Sequence, residues 1–542
     1  MSRFSRFHRL VAILTAGLVL LVPYGPPTAS MAAVDVRQPI KSAYVELDVR
    51  NAPGTAYASA VEPQTDVFRL VGVTWPYQPD AAKVVAKVSV FSGGQWSPWQ
   101  GLHVEEEHGP DAATAAAGRS GTEPLWVEPS TGVQVSLTTL DGKPVPDAKV
   151  VLIDPGASPD DEPARMATTG GAVYDSATGP MPFPMPKIVT RQGWGADESL
   201  RSFNGVACAT PRFTSTIRAA FVHHTADTNR YTKAQSAAMI RSMYAYHVKG
   251  RGWCDLGYNF LVDKYGQAFE GRAGGMHLPV LGAHTGRFNS DSFGVSMIGN
   301  FEKAQPSSAM LDMASRVIAW KLDANYRSPF GKALINGSSF DAISGHRDTK
   351  ATACPGKNVY AKLGELRKRV SALMDHGAST PIYRYARRVG GESVLGAPFW
   401  GEHPTRTGRS TWFRNRDVYW SGATGAHSVR GGFRARYRAF GSANGPLGLP
   451  VGEEKNGRAN GSRVQLFEHK GTRAALYWSR STGVQAIYGV IMLHYLRVGA
   501  ERSRLRLPTT SPYHVRGGLA QRFQGGRIEW NSRSNRAKVI FR

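Results

Sequence analysis

Between residues 34 and 156, apolar positions fall in short runs bounded by turn-forming residues. Val67–Val73, Val84–Val90, Val133–Leu137 and Lys149–Ile153 alternate or are continuously apolar, which predicts strands, and no helical period lies between them. This stretch is expected to be an all-β module of sandwich type. Residues 157–187 lose the pattern. Pro, Gly, Ala, Ser and Thr dominate, and Pro182, Pro184 and Pro186 alternate with Phe183 and Met185, so a linker with a stiff extended end is expected rather than a core segment.

From 188 to 376 the two periods are interleaved. Thr232 is placed to cap a helix running to about His247, with Ser236, Met239, Ile240, Met243 and Tyr244 on one face. Ala309–Ala324 and Asn358–Met374 predict two further helices. Phe260–Val262 and Gly294–Ile298 predict short buried strands. The expectation is an α/β domain, a mixed sheet flanked by helices. Residues 381–542 repeat themselves. Leu395–Pro398, Leu447–Pro450 and Leu505–Pro508 recur at spacings of 52 and 58, and Trp420, Trp478 and Trp530 recur at 58 and 52. A period in the fifties with short strands, Gly and Trp predicts a β-repeat array. The fold class is therefore multidomain: N-terminal β module, central α/β domain and C-terminal β-repeat domain.

Charge changes the picture. The 542-residue chain carries a formal net charge of +25, which suits a polyanionic partner. The excess is not spread evenly. The 34–156 stretch holds 15 Asp and Glu against 9 Lys and Arg, whereas 381–542 holds 28 Lys and Arg against 8 Asp and Glu. At the N-terminus, Arg3, Arg6 and Arg9 precede the apolar run Leu10–Val22, and small residues follow at Ala29, Ser30, Ala32 and Ala33. Residues 1–33 read as a secretory signal peptide, so the mature protein is expected outside the cell without an integral membrane segment. Export argues against nucleic acid as the partner.

The chemistry concentrates in the middle domain. An apolar strand ends in His223 and His224, and His346 and Cys354 lie eight residues apart, separated by loop-forming residues. Two imidazoles and a thiolate are the ligand types Zn²⁺ prefers, and three protein ligands leave one position open, the pattern of a catalytic zinc. Only three cysteines exist, and an odd count in an exported protein leaves one with another task. With Cys354 on the metal, Cys208 and Cys254 remain to form a disulfide. A Cys254–Cys354 bridge, which would destroy the metal site, stays open on spacing alone.

The motifs Arg191–Ala196, Val222–Thr225, Gly252–Phe260, Glu270–Arg272, Gly282–Thr285, Ile298–Phe301, Gly345–Asp348 and Thr352–Gly356 run in the order found in one family. Through them, 188–376 resembles the peptidoglycan recognition proteins, the type-2 N-acetylmuramoyl-L-alanine amidases. The resemblance implies zinc ligation by His223, His346 and Cys354, a catalytic Tyr258 assisted by Thr352, and a substrate groove lined by His224, Trp253, Arg272, His284 and Asn289. It implies hydrolysis of the amide between muramic acid and the L-alanine of the stem peptide in peptidoglycan. Non-catalytic members typically lack the ligand cysteine, so retention of Cys354 and Tyr258 disfavours the alternative of a peptidoglycan-binding or envelope-anchoring protein without catalysis. The loop Ala273–Val280 departs from the family's pattern, which leaves stem-peptide preference open. The C-terminal region resembles LGFP repeats, which implies cell-wall attachment, and its positive charge suits anionic wall polymers.

Overall fold

A computed structural model describes residues 36–52, 55–76, 84–104, 118–141, 143, 145–162, 168–169, 182–374 and 380–542. The signal peptide expected at 1–33 and most of the linker expected at 157–187 lie outside the described residues. Among the described residues no helix is long and apolar enough to cross a membrane.

The N-terminal module is a two-sheet sandwich. One sheet runs Lys41–Glu46, Lys149–Asp154, Phe68–Pro76 and Arg119–Gly121; the other runs Asp48–Ala52, Thr55–Glu62, Gly132–Thr139, Val84–Ser92 and Gln95–Trp96. Alternate residues such as Val71, Val73, Val88, Val133, Val135 and Val150 point between the sheets and form their shared core.

The central domain is built on a seven-stranded sheet in the order Thr168–Thr169, Ile188–Val189, Ala268–Glu270, Phe260–Val262, Ser292–Met297, Ala219–His224 and Ile343–Gly345. Ala219–His224 is parallel to both of its neighbours, so the ends carrying His223 and Gly345 lie side by side. The strands read as continuous apolar runs because both faces are covered. Phe260 and Val262 join the core under the helices Ser308–Ala324 and Leu363–Leu373, whereas Leu261 joins the core under Gln235–Ala245.

Three expected helices differ in detail. The first begins at Gln235, whose Oε1 reaches back to accept the Thr232 N–H at 2.7 Å, and it continues as a π-helical turn over Tyr246–Gly250. The second is Ser308–Ala324, capped by Ser307. The third is broken into Lys357–Tyr360 and Leu363–Leu373, although Val359, Leu363, Leu366 and Val370 all reach one core. The extended 182–187 segment is no bare spacer. Met185 is buried in the central core, and the Phe183 N–H donates to Asp323 at 2.6 Å. The flanking prolines hold the backbone extended so that the side chain between them points inward.

The helix Gln235–Ala245 shows how the pieces combine. Its expected apolar face is buried, but so are Arg241 and Ser242. A helix buried all round needs a second covering surface, and the N-terminal sandwich supplies it. Leu70, Trp126, Val151 and Ile153 share one core with Trp194, Met239, Tyr244 and Tyr246. Tyr246 donates to the Thr122 carbonyl at 2.8 Å, and its ring lies so close to Gly72 that a Cβ there would overlap it. Arg241, 1 % exposed, forms two bonds to Asp161 at 2.6 and 2.8 Å and donates to the Gly156 and Trp194 carbonyls.

The C-terminal region is not purely β. It consists of sheets Pro398–Arg430, Leu449–Ile487 and Tyr513–Phe541, with helices Pro381–Arg388, Gly431–Ala439 and Gly489–Arg497 packed among them. It meets the central domain through Tyr326, which donates to Glu402 at 2.8 Å, and through Arg327 paired with Glu392 at 2.6 Å.

Candidate metal centre and its groove

His223 ends its strand, and His346 opens the 3-10 turn directly after the adjacent parallel strand Ile343–Gly345. The following loop folds back, with the Arg347 N–H donating to the Cys354 carbonyl at 3.0 Å, and this returns Cys354 to the strand ends. His223, His346 and Cys354 each offer a ligand atom, and these atoms lie within 4.8 Å of one another. Cys354 Sγ is 3.6 Å from His223 Nδ1. At metal–nitrogen and metal–sulfur bond lengths of about 2.1 and 2.3 Å, tetrahedral ligand atoms stand roughly 3.6 Å apart, so the donor set fits one zinc ion. All three residues are buried.

The surroundings orient the donors. His223 Nε2 is 3.0 Å from His284 Nδ1, so with a metal ion on His223 Nδ1 the Nε2–H would donate to His284 and hold the ring in that orientation. The His224 N–H points at Cys354 Sγ at 3.4 Å, which favours the thiolate. Thr352 Oγ1 accepts the Cys354 N–H at 3.1 Å. Tyr258 is buried with its ring centroid 5.4 Å from that of His223.

Of the residues expected to line a groove, His224, Trp253, His284 and Asn289 are buried and Arg272 is partly exposed. His224 Nδ1 accepts the Phe301 N–H at 3.2 Å. Trp253 packs on His247, with centroids 4.5 Å apart, and under the Arg251 guanidinium. Arg272 donates to the Leu256 carbonyl at 3.1 Å. Asn289 faces its own loop, where Oδ1 accepts the N–H groups of His284 and Thr285, so it holds His284 in place. Cys208 and Cys254 are joined in a disulfide with Cα atoms 4.8 Å apart, which removes the alternative Cys254–Cys354 pairing.

Sequence reasoning missed a contribution from the N-terminal module. His103 lies with its ring 6.3 Å from that of His224, and the Trp126 N–H donates to buried Asp227 at 2.7 Å. Burial pushes the Asp227 carboxyl up to about 7. The only sequence signal was an isolated histidine in a β module, which carries no pattern. The loop after Arg272 is also fixed from an unexpected quarter. Lys321, buried on the helix Ser308–Ala324, donates to the carbonyls of Met276 and Leu278 at 2.8 and 3.1 Å, and burial lowers its ammonium to about 7.

Comparison with known proteins agrees with this architecture. Residues 213–357 match the N-acetylmuramoyl-L-alanine amidase family, 27–167 the N-terminal galactose-binding domain-like family, and 395–445 and 447–503 the LGFP repeat. Peptidoglycan-recognition protein SC2 of Drosophila simulans is 32% identical over 176 residues, which are 32% of this chain and 84% of that protein. The chain belongs to the peptidoglycan recognition protein family. Peptidoglycan recognition protein 1 of Bos taurus is 33% identical over 174 residues, 32% of this chain and 80% of its own length. The solved structure of wild-type Drosophila PGRP-LB is 27% identical, covering 32% of this chain and 91% of that chain, with a TM-score of 0.26. In this member of the family, the matched region is bracketed by the sandwich and the LGFP repeats.

Proposed function

We propose that the chain is a secreted zinc amidase that hydrolyses the amide between the lactyl group of muramic acid and the L-alanine of the peptidoglycan stem peptide. The observation that carries this reading is the convergence of His223, His346 and Cys354, all buried, at the ends of two parallel strands. Open α/β sheets bind ligands beyond the carboxyl ends of their strands. Zinc bound there supplies a Lewis acid that lowers the pKa of a water to about 7 and polarises a carbonyl.

The chain's own residues do the rest. His284 holds the His223 ring through the Nε2 bond. Tyr258 hydrogen-bonds the oxygen that becomes negative as water adds to the lactyl carbonyl, and Thr352 helps hold the same charge. The carbonyl–nitrogen bond then breaks, giving a lactyl carboxylate on the sugar and a free amine on L-alanine. His224, Trp253, Arg272, His284 and Asn289 form or support the groove that receives the stem peptide. The basic LGFP repeats retain the protein at the wall through anionic polymers.

Intact, purified walls incubated with zinc-loaded protein are expected to release free stem peptides beginning with an unblocked L-alanine, read by mass spectrometry. Sugar-linked peptides alone, or none, would sink the amidase reading and leave a peptidoglycan-binding protein. Cys354→Ser is expected to abolish release and most bound zinc while the Cys208–Cys254 bridge persists, as measured by metal analysis and peptide mapping.

A further inference from the structure

The three repeats place a tryptophan at the same point of their sheets, with one neighbour on either side. The cross-strand rows are Arg409–Trp420–Ala426, Arg463–Trp478–Val484 and Leu519–Trp530–Ala537. Directly opposed residues share a sheet face, so each row presents one surface. In the first row the surface is closed. Arg409 is 2 % exposed, lies 4.6 Å over the Trp420 ring and is bound to Glu402 at 3.0 Å. In the third, leucine replaces the arginine, and Trp530 donates its Nε1–H to Asn535 at 3.2 Å.

The middle row is open. Trp478 is 38 % exposed and lines a cavity of about 310 Å³ between the second sheet and the helix Gly431–Ala439, with Phe433 and Val484 as its other apolar walls. Arg430 and Arg463 enter the same cavity and share one carboxylate, Glu454, at 3.0 and 2.8 Å. Two guanidiniums on one carboxylate leave a positive charge beside a bare indole face. The helix begins at the cavity, and its dipole adds to that charge.

We propose that this inter-repeat cavity is a glycan subsite for a pyranose bearing a carboxylate. The C–H face of the sugar ring lies on Trp478, and the carboxylate takes terminal N–H groups of Arg463 and Arg430. The Nε atoms of both arginines hold Glu454, while Arg463 Nη1 also donates to Asn456 at 2.7 Å, and Glu454 accepts from ring hydroxyls. A peptide-free peptidoglycan strand has this chemistry, because cleavage of the lactyl amide leaves a carboxylate on each muramic acid. That identification rests on the function proposed above; the chemistry of the cavity does not.

The test is titration calorimetry of the full chain with three probes: a peptide-free N-acetylglucosaminyl–N-acetylmuramic acid tetrasaccharide, uncharged chitotetraose, and poly(glycerol phosphate). The acidic tetrasaccharide is expected to bind about 10-fold more tightly than chitotetraose, and its affinity should fall with salt. Trp478→Ala and Arg463→Gln should each weaken it about 10-fold, while Trp420→Ala leaves it unchanged. Trp478 is at the surface, so a thermal melt matching the parent chain verifies that the variant is folded. Equal affinity of Trp478→Ala and the parent chain, equal binding of chitotetraose, or binding of poly(glycerol phosphate) alone overturns the proposal. No bond is cleaved in this titration, so a chain that fails to release stem peptides can still bind the tetrasaccharide. An active amidase can equally fail to bind it.

Discussion

The central domain is flanked on two sides, and the two contacts differ in kind. Against the N-terminal sandwich it shares a single hydrophobic core, and two residues buried across the boundary are bonded there: Tyr246 to the Thr122 carbonyl, and Arg241 to the Gly156 carbonyl and the Asp161 carboxylate. Against the repeats the contacts are between individual side chains: the polar pairs Tyr326 with Glu402 and Arg327 with Glu392, and the T-shaped apolar pair Phe213–Phe399. The acidic module is thus integrated into the amidase domain, whereas the basic array is attached to it. Composition alone suggests three comparable beads. The difference shows that charge segregation reports on partners and not on how domains are joined.

Truncation should separate the two contacts most strongly. A chain lacking 34–156 is expected to lose cooperative unfolding of the central domain, because it strips the outer face of the helix Gln235–Ala245. A chain lacking 381–542 keeps a sharp transition. Circular dichroism melts of both are the measurement, and a cooperative melt of the first would erase the distinction. Single residues scale it down. Tyr246→Ala is expected to destabilise by about 3–5 kcal/mol, the cost of an aromatic cavity. Tyr326→Phe, which removes one hydroxyl from the other contact, should cost about 1–2 kcal/mol in denaturant titrations.

The smallest effect concerns pH. His403, in the first repeat, is buried against Trp400 and bonded to Gly401 and Ser410, and burial lowers it to about 4. An unfolded histidine titrates near 6.5, so between about 6.5 and 4 the unfolded chain binds the extra proton. Stability of the first repeat should therefore be full above pH 6.5 and fall as pH drops toward 4. His403→Phe should flatten that slope in melts taken across the range; an unchanged slope assigns the acid sensitivity elsewhere.

The candidate centre was legible because its chemistry is local and ordered along the chain. A strand ending in His223 and a short loop holding His346 and Cys354 name their ligand types without any long-range information. The sandwich was legible from alternation alone. What escaped depends on surfaces meeting. Periodicity placed Met239 and Tyr244 on one face of a helix but could not reveal that the opposite face, with Arg241, is covered as well. His103 reaches the neighbourhood of His224 across 121 positions of sequence with no pattern around it. The helix Gly431–Ala439 was hidden by Arg434, Arg436 and Arg438, whose every-other spacing imitates a strand, and by a glycine start in place of a capping side chain.

The loop 273–281 is held by its main chain. Lys321 grips the carbonyls of Met276 and Leu278, the Thr214 N–H donates to the Pro279 carbonyl at 2.9 Å, and the Leu281 N–H donates to Arg212 at 2.9 Å. None of these bonds reads a loop side chain. The path also depends on Gly274 and Gly275, at φ +133° and +99°, and on buried Val280 and Leu281, so only outward positions such as exposed His277 are open to substitution. Variation in such a segment is confined to its outward side chains, while the scaffold that shapes it stays constant.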